Sequence, residues 1–291
     1  MLFIMVTVLI VAILLGVMAF VSHRQKTIKH NSVRLCIDKL GKLKTLLILI
    51  QQHRGLSTGF INGDTNLQTS IDIKRSELDR QWDLIERTFP EIKEDQLFSG
   101  IASHWQRLKT RWSKQTASNN IEQHNRLILN LLYLIENHAE QNIALAKFCR
   151  HSGLDVIWNE LLDTIEALGQ ARAIGMSMVA AKQSSAVERV QLNFLLEKVT
   201  LRMNKLRECL VRPVSDDHSI KAIDKYWAND YLCKADKSVA VLFNLIEQHL
   251  FKNRIDDLAS DHFFQLASAA IEPLDTLFTH ATETIEKEYF T

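Results

Sequence analysis

Residues 46–64 read LLILIQQHRGLSTGFINGD, an apolar run followed by a segment rich in small and polar residues. The apolar residues of this region recur at helical spacing, and they are Val33, Leu40, Leu43, Leu47, Ile50 and Ile61. This period predicts a helix whose apolar face packs inside the protein. Arg54 falls in the middle of that face, where the pattern favours leucine, so the sequence predicts an arginine that points inward.

A second segment, residues 168–183, reads LGQARAIGMSMVAAKQ and repeats this arrangement. The predicted helix that begins after Gly153 and contains this segment also has an apolar face at helical spacing, which consists of Leu154, Ile157, Trp158, Leu161, Ile165, Leu168, Gly175 and Val179. Arg172 lies in the middle of this face. The residues after Arg54 and Arg172 follow the same order, which is small, aliphatic, small, any, small. We interpret the match as a weak internal duplication that gives two four-helix halves.

The rest of the chain also favours helices. Nine glycines and three prolines in 291 residues are too few for the turns of a sandwich, barrel or propeller. Cap and turn residues interrupt the helical pattern at Gly63-Asp64, Phe89-Pro90, Ala117-Ser118-Asn119, His151-Ser152-Gly153, Gln183-Ser184-Ser185, Arg212-Pro213 and Lys252-Asn253. The chain is therefore predicted to be all-α, an elongated up-down bundle of about eight helices. Pro273 predicts a kink or a restart in the last helix.

The amino-terminal segment has the composition of a membrane helix. Residues 2–21 carry no charge, and about 20 apolar residues suffice to span a bilayer core of about 30 Å. Arg24, Lys26 and Lys29 follow this run, and the positive-inside rule then places the remainder of the chain in the cytoplasm. The predicted organisation is a transmembrane anchor over 1–22, a basic juxtamembrane segment over 23–32 and a helical domain over 33–291. The periplasm stays open as the alternative side.

Several function classes are disfavoured by the sequence. The net charge of +1 provides no basic field for nucleic acid. No phosphate-binding glycine loop, nucleophile elbow or Glu-x-x-His pair occurs, so we predict neither an enzyme nor a metal site. The cysteines stand singly, without zinc spacing, as small apolar residues of a core do.

The inward arginines need compensation, because an unpaired guanidinium inside a helical seam costs several kcal/mol. A buried carboxylate partner is one solution, and a position near the bundle end, where the side chain reaches water, is another. The third solution is an anion held between the two arginines, since each guanidinium offers a planar fork of N–H donors suited to oxyanions.

Residues 46–64 resemble the signature helix of the nitrate- and nitrite-sensing domain of bacterial signalling proteins, and residues 168–183 resemble its second arginine-bearing helix. Residues 262–277, HFFQLASAAIEPLDTL, are similar to its terminal helix. The resemblance covers residues 33–288. It implies an all-helical bundle that binds nitrate or nitrite between arginines of opposed helices and changes interhelical geometry on binding.

By matching motif, the resemblance implies that Arg54 and Arg172 contact the anion. The family often has a second basic residue just before the signature arginine, and here that residue is His53. Family members can also use a basic residue from a later helix, for which we select Lys234. Its predicted apolar stripe consists of Ile223, Trp227, Tyr231, Val241 and Leu245. The alternative for Lys234 is a rim position with a buried stem.

The expected function is therefore a single-pass sensor of nitrate or nitrite in the bacterial inner membrane. No cofactor is expected. Because the sequence ends directly after the last sensor helix, we expect the signal to pass through an unidentified output protein or a homodimer. The competing interpretation is a membrane-anchored helical scaffold or interaction protein whose anion site is degenerate or absent.

Overall fold

The computed structural model describes residues 2–211, 226–252 and 254–290, with side chains from residue 13 onward. Every regular element in these ranges is helical, as predicted. The nine α-helices are α1 (Leu2–Ile61), α2 (Gln68–Thr88), α3 (Gln96–Arg111), α4 (Ala117–Gln141), α5 (Ile143–Ser152), α6 (Glu160–Ala181), α7 (Ala186–Val211), α8 (Tyr226–Leu245) and α9 (Ser260–Phe290). A π-helical turn, Ile246–Phe251, extends α8, and short 3₁₀ turns fill several of the connections.

Helix ends are set by ordinary capping side chains. Asp95 accepts hydrogen bonds from two backbone N–H groups at the start of α3, and Thr116 accepts one, from Asn119, at the start of α4. Asn142 caps α5 and so creates a helix boundary that the sequence analysis did not predict. Gly153 ends α5 in the left-handed conformation, with φ of 65°, which glycine adopts without strain.

Two of the predicted interruptions lie at least partly outside the described residues. Arg212-Pro213 is one, and Asn253 of the Lys252-Asn253 break is the other. Pro273 lies inside α9, which continues from Ser260 to Phe290, so no restart of the helix occurs there.

Eight of the nine α-helices in the described ranges pack as two groups of four, and the short α5 packs beside α4 and α1. In the first group α1 contacts α2 and α4, while α3 contacts α4. In the second group α6, α7, α8 and α9 contact one another in a closed cycle. The groups meet where α1 packs against α6, with further contacts of α1 with α9 and of α4 with α6. The lead helix of each group therefore lies at the centre, and each lead helix carries one of the two inward arginines.

The central helix α6 is buried almost all round. Residues 161–179 are buried at nearly every position, because α1, α7 and α9 cover different sides of α6. Close packing of this kind requires small side chains at the crossings. At Gly175 an added Cβ would lie 2.0 Å from Cζ of the buried Phe263, so only glycine fits there.

The amino-terminal part of α1 extends beyond the bundle. Side chains 13–29 are exposed, and Val33 is the first buried side chain among those described. A single helix passes through the predicted boundaries at residues 22 and 32 without a break. Among the described residues, no helix combines the length and the apolarity needed to cross a bilayer. The transmembrane anchor predicted over 1–22 is thus without structural support, and side chains 1–12 of that segment lie outside the description.

Candidate functional site

The two inward arginines lie side by side where α1 crosses α6. Each of them packs over a glycine of the opposite helix: a Cβ on Gly169 would lie 2.8 Å from Arg54 Nη2, and a Cβ on Gly55 would lie 3.7 Å from Arg172 Nε. Arg54 is 0 % exposed and Arg172 is 1 % exposed. The absence of a side chain at Gly169 therefore gives the Arg54 guanidinium room, whereas a Cβ at Gly55 would make only ordinary contact with Arg172.

Arg54 is held by a buried carboxylate. Its Nη1 donates to Glu166 Oε1 at 2.6 Å and its Nη2 donates to Glu166 Oε2 at 3.1 Å, which makes a bidentate pair between α1 and α6. Nη1 also donates to Asn125 Oδ1 of α4 at 2.6 Å. Only Nε of Arg54 has no hydrogen-bond partner within the described part of the chain. Arg54 thus adopts the carboxylate-paired alternative that the sequence analysis left open.

Glu166 is fully engaged as an acceptor. Besides Arg54, it accepts hydrogen bonds from Gln51 Nε2 and from Gln170 Nε2, each at 2.8 Å. Each carboxylate oxygen therefore receives two hydrogen bonds. This arrangement satisfies the ionised carboxylate in a position where its side chain is 8 % exposed.

Arg172 has no such carboxylate partner among the described residues. Its Nη1 donates to Ser268 Oγ of α9 at 2.8 Å, and its guanidinium carbon lies 4.9 Å from the ring centroid of Phe264. Its Nε and Nη2 have no hydrogen-bond partner among the described residues. Burial, reinforced by the neighbouring charge of Arg54, lowers the Arg172 pKa from 12.5 to about 9. The buried guanidinium is thus incompletely compensated by the protein.

The two unpartnered groups of Arg172 form a single binding edge. In a planar guanidinium the Nε–H and one Nη2–H bond point the same way, side by side, in the geometry that accepts two oxygens of one oxyanion. Phe264 covers the face of the guanidinium, and neither N–H group of this edge has a hydrogen-bond partner among the described residues. Chemically, the arrangement can bind a small planar oxyanion through two charge-assisted hydrogen bonds.

His53 is placed in a different environment. Its Nδ1 lies 2.9 Å from His124 Nε2, and its ring packs against Trp105 and Trp112. Because His124 Nδ1 must donate to the Asn120 carbonyl, 2.8 Å away, His124 Nε2 is the acceptor and His53 Nδ1 the donor. Burial lowers the His53 pKa to about 3. His53 is therefore a neutral core residue, not a cation that could supplement Arg54.

Lys234 is not brought to the arginines either. It is exposed on α8, pairs with Asp230 at 2.7 Å and lies over the ring of Tyr231. The apolar stripe predicted for this helix is wrong. The buried face consists instead of Ala228, Leu232, Ala235, Val239, Leu242 and Ile246, while Ile223 of the predicted stripe lies outside the described residues. Small alanines occupy the buried face, and the larger aromatic residues beside them gave the misleading pattern.

The sequence analysis missed Glu166, Phe264 and Ser268 as members of the site. A signal for Glu166 was present, because it is the only acidic residue between Asp163 and Glu188 and lies in an apolar segment. No comparable signal marks Ser268 or Phe264. For metals, the described residues contain no group of three or more His, Cys, Asp or Glu side chains that could hold an ion.

The fold and the site together define an all-α bundle with a cationic cluster buried at its central helix crossing. A family model described as nitrate and nitrite sensing matches residues 45–286. The chain belongs to this family, which is a sensory family and not an enzyme family. No curated protein and no solved structure matches the chain.

Proposed function

We propose that the chain is a sensor that binds nitrate or nitrite at the free edge of Arg172, beside Arg54, and changes helix packing in response. The observation that carries the proposal is the buried Arg172 guanidinium with two N–H groups that no described residue accepts. Family membership supports nitrate or nitrite as the ligand. In this arrangement the oxyanion accepts from Nε and Nη2 and neutralises the excess positive charge of the cluster.

The site is suited to coupling binding with packing because three helices meet there. Arg172 belongs to α6, its partners Ser268 and Phe264 belong to α9, and Arg54 belongs to α1. An anion that binds one packing arrangement better than another shifts the equilibrium between them. At a concentration 100 times the dissociation constant, the linkage supplies about 2.7 kcal/mol. That amount can bias a bundle with two packing states of similar energy.

The direct test is calorimetric titration of the full chain, in a mild detergent, with sodium nitrate and sodium nitrite at constant ionic strength. Arg172→Met removes the charge and should abolish binding. Arg172→Lys keeps the charge but loses the fork, and we expect at least about tenfold weaker binding. Arg202→Met is the matched control and should bind normally. It removes an arginine of α7 that pairs with Glu160 and Asp163 of α6. Wild-type protein that binds neither anion, or Arg172→Met that still binds, would refute the proposal.

Membrane anchoring through residues 2–21 is a further part of the proposal and rests on the sequence, which carries no charge over that segment. The exposure of the apolar side chains at 13–21 is compatible with it. Cell fractionation tests the anchor, and a reporter fused to the carboxyl terminus tests the predicted cytoplasmic side. Recovery of the full chain in the soluble fraction would refute anchoring. An active periplasmic reporter would establish the alternative orientation.

The output is proposed to pass to an unidentified partner protein or to a second copy of the chain. Light-scattering mass measurement with and without nitrate tests the homodimer. A mass that equals one chain under both conditions excludes it and leaves a different partner protein as the recipient.

A second candidate function, a helical scaffold without ligand response, is favoured by one observation. Glu166 already pairs with Arg54, so part of the cationic cluster needs no anion. Under this interpretation excess nitrate leaves the melting temperature of wild-type protein and of Arg172→Met unchanged. A nitrate-dependent increase in wild-type protein only would exclude it.

A further inference from the structure

The charge balance of the buried cluster leads to an inference about ligand selectivity. The charges that act on Arg172 are those of Arg54 and Glu166. The other polar side chains that bond to these groups are the uncharged amides of Gln51, Gln170 and Asn125 and the hydroxyl of Ser268. Among the described residues, two guanidinium groups and one carboxylate therefore give the cluster a net charge of +1.

We infer that Glu166 determines which anions the site accepts, by restricting it to monovalent oxyanions and excluding divalent ones. This inference rests on the proposed function, since it concerns the same site. A monovalent anion brings the buried cluster to neutrality. A divalent anion such as sulfate leaves an uncompensated negative charge in a site that is almost closed to water, and burial of a net charge is strongly unfavourable.

Glu166 is fixed strongly enough to serve as a permanent part of the site. Its side chain is 8 % exposed and accepts four hydrogen bonds, two of them from Arg54. A carboxylate with this many donors is not readily displaced by an incoming anion. The fork of Arg54 therefore stays occupied, and Arg172 offers the free edge. The site thus combines one fixed internal carboxylate with one position for an external anion.

The test compares sodium nitrate with sodium sulfate by calorimetric titration of the full chain in mild detergent, at constant ionic strength. Calorimetry is needed because sulfate stabilises proteins nonspecifically in thermal assays. Sulfate is also more strongly hydrated than nitrate, so preference in the wild type alone is not decisive. The decisive quantity is the change in the nitrate-to-sulfate affinity ratio when Glu166→Gln removes the charge and nearly preserves the shape. We expect the ratio to fall by about tenfold or more, because one full charge next to the site is lost.

Two further variants complete the experiment. Glu160→Gln neutralises an ion-paired glutamate of the same helix, bonded to Arg202, and should leave the ratio unchanged. If Glu166→Gln does not fold, Glu166→Asp replaces it. This variant keeps the charge and should retain the wild-type preference within about threefold, even if both anions bind more weakly.

The outcomes separate this inference from the proposed function. An unchanged ratio in Glu166→Gln, or a lost preference in Glu166→Asp, overturns the role of Glu166 while nitrate binding stands. Equal binding of sulfate and nitrate by the wild type also overturns the inference alone. Wild-type protein that binds no anion overturns the proposed function and the inference with it.

Discussion

Replacement of Arg172 by methionine should stabilise the ligand-free protein while it removes anion binding. Arg172 is 1 % exposed, and two of its N–H groups have no acceptor among the described residues. Methionine is flexible, has a similar length and carries no charge, so it can fill the same space without the desolvation cost. The crossing would then keep the Arg54–Glu166 pair, whose charges balance, and would lose the uncompensated guanidinium.

The expected magnitude follows from the environment of Arg172. The lowering of its pKa from 12.5 to about 9 corresponds to about 5 kcal/mol against the charged folded form, at about 1.4 kcal/mol per pKa unit. The variant loses the hydrogen bond to Ser268 and the ring contact with Phe264, together worth about 2 kcal/mol. The net expectation is a gain of about 3 kcal/mol, which is within the range of about 1–4 kcal/mol found when apolar residues replace buried ion pairs.

The assay is thermal unfolding of the full chain followed by far-ultraviolet circular dichroism in nitrate-free buffer. At about 2–4 °C per kcal/mol for a domain of this size, the melting temperature of Arg172→Met should rise by about 6–12 °C. Arg202→Met serves as the control, because it removes an arginine whose charge is balanced by two partly exposed ion pairs, with Glu160 and Asp163, and should not stabilise. A melting temperature of Arg172→Met several degrees below that of the wild type would mean that the guanidinium is well compensated in the ligand-free fold. The argument from its unpartnered N–H groups would then fail.

Two other predictions concern packing and pH. Gly175→Ala should lower the free energy of unfolding by about 1–3 kcal/mol or more, because its methyl group would overlap the buried ring of Phe263. Gly100→Ala, on an exposed helix position with no neighbour within 4 Å, should instead raise it by about 0.5–1 kcal/mol, and urea denaturation measures both. Stability should also fall as the pH decreases below 6.5, since the unfolded chain then binds protons that the buried His53 and His124 cannot accept in the folded state. Each histidine contributes up to about 1.4 kcal/mol per pH unit to the dependence of the unfolding free energy on pH. His53→Phe should reduce this pH dependence, as measured by denaturation at several pH values between 5 and 7. The pH argument fails if His53→Phe leaves the pH dependence of the unfolding free energy unchanged. The packing argument fails if Gly100→Ala destabilises the protein as much as Gly175→Ala does.

The inward direction of both arginines could be predicted from the sequence, because periodicity shows where a charged residue lies within an apolar stripe. Arg54 and Arg172 each interrupt an apolar stripe, and both are buried in the structure. A periodic stripe identifies only one side of a helix that is covered on several sides. On α6 nearly every position is buried, and Glu166 lies on a different side from the stripe that contains Arg172, so periodicity did not mark it. Its signal was that it is an isolated acidic residue in an apolar segment.

The pairing of charges could not be predicted at all, because it depends on the way α1 crosses α6. The contact between Arg54 and Glu166 joins residues 112 positions apart. The environment of His53 also depends on tertiary packing. The family motif suggested a basic residue at this position, but burial beside His124 keeps His53 neutral. On α8 the error was one of register, since Ala228 and Ala235 are buried although alanine carries little hydrophobic signal.

The length of α1 has a mechanical consequence. The helix includes both Arg54 and the exposed apolar residues around Val21, and these positions are about 50 Å apart at 1.5 Å per residue. No proline interrupts the intervening segment, so it lacks the usual joint that would absorb a displacement. A sliding or tilting of this rod at the binding site is therefore carried to its far end. If anion binding displaces α1 as proposed, a spin label near residue 21 would report that displacement from a distance, far from Arg54 and Arg172.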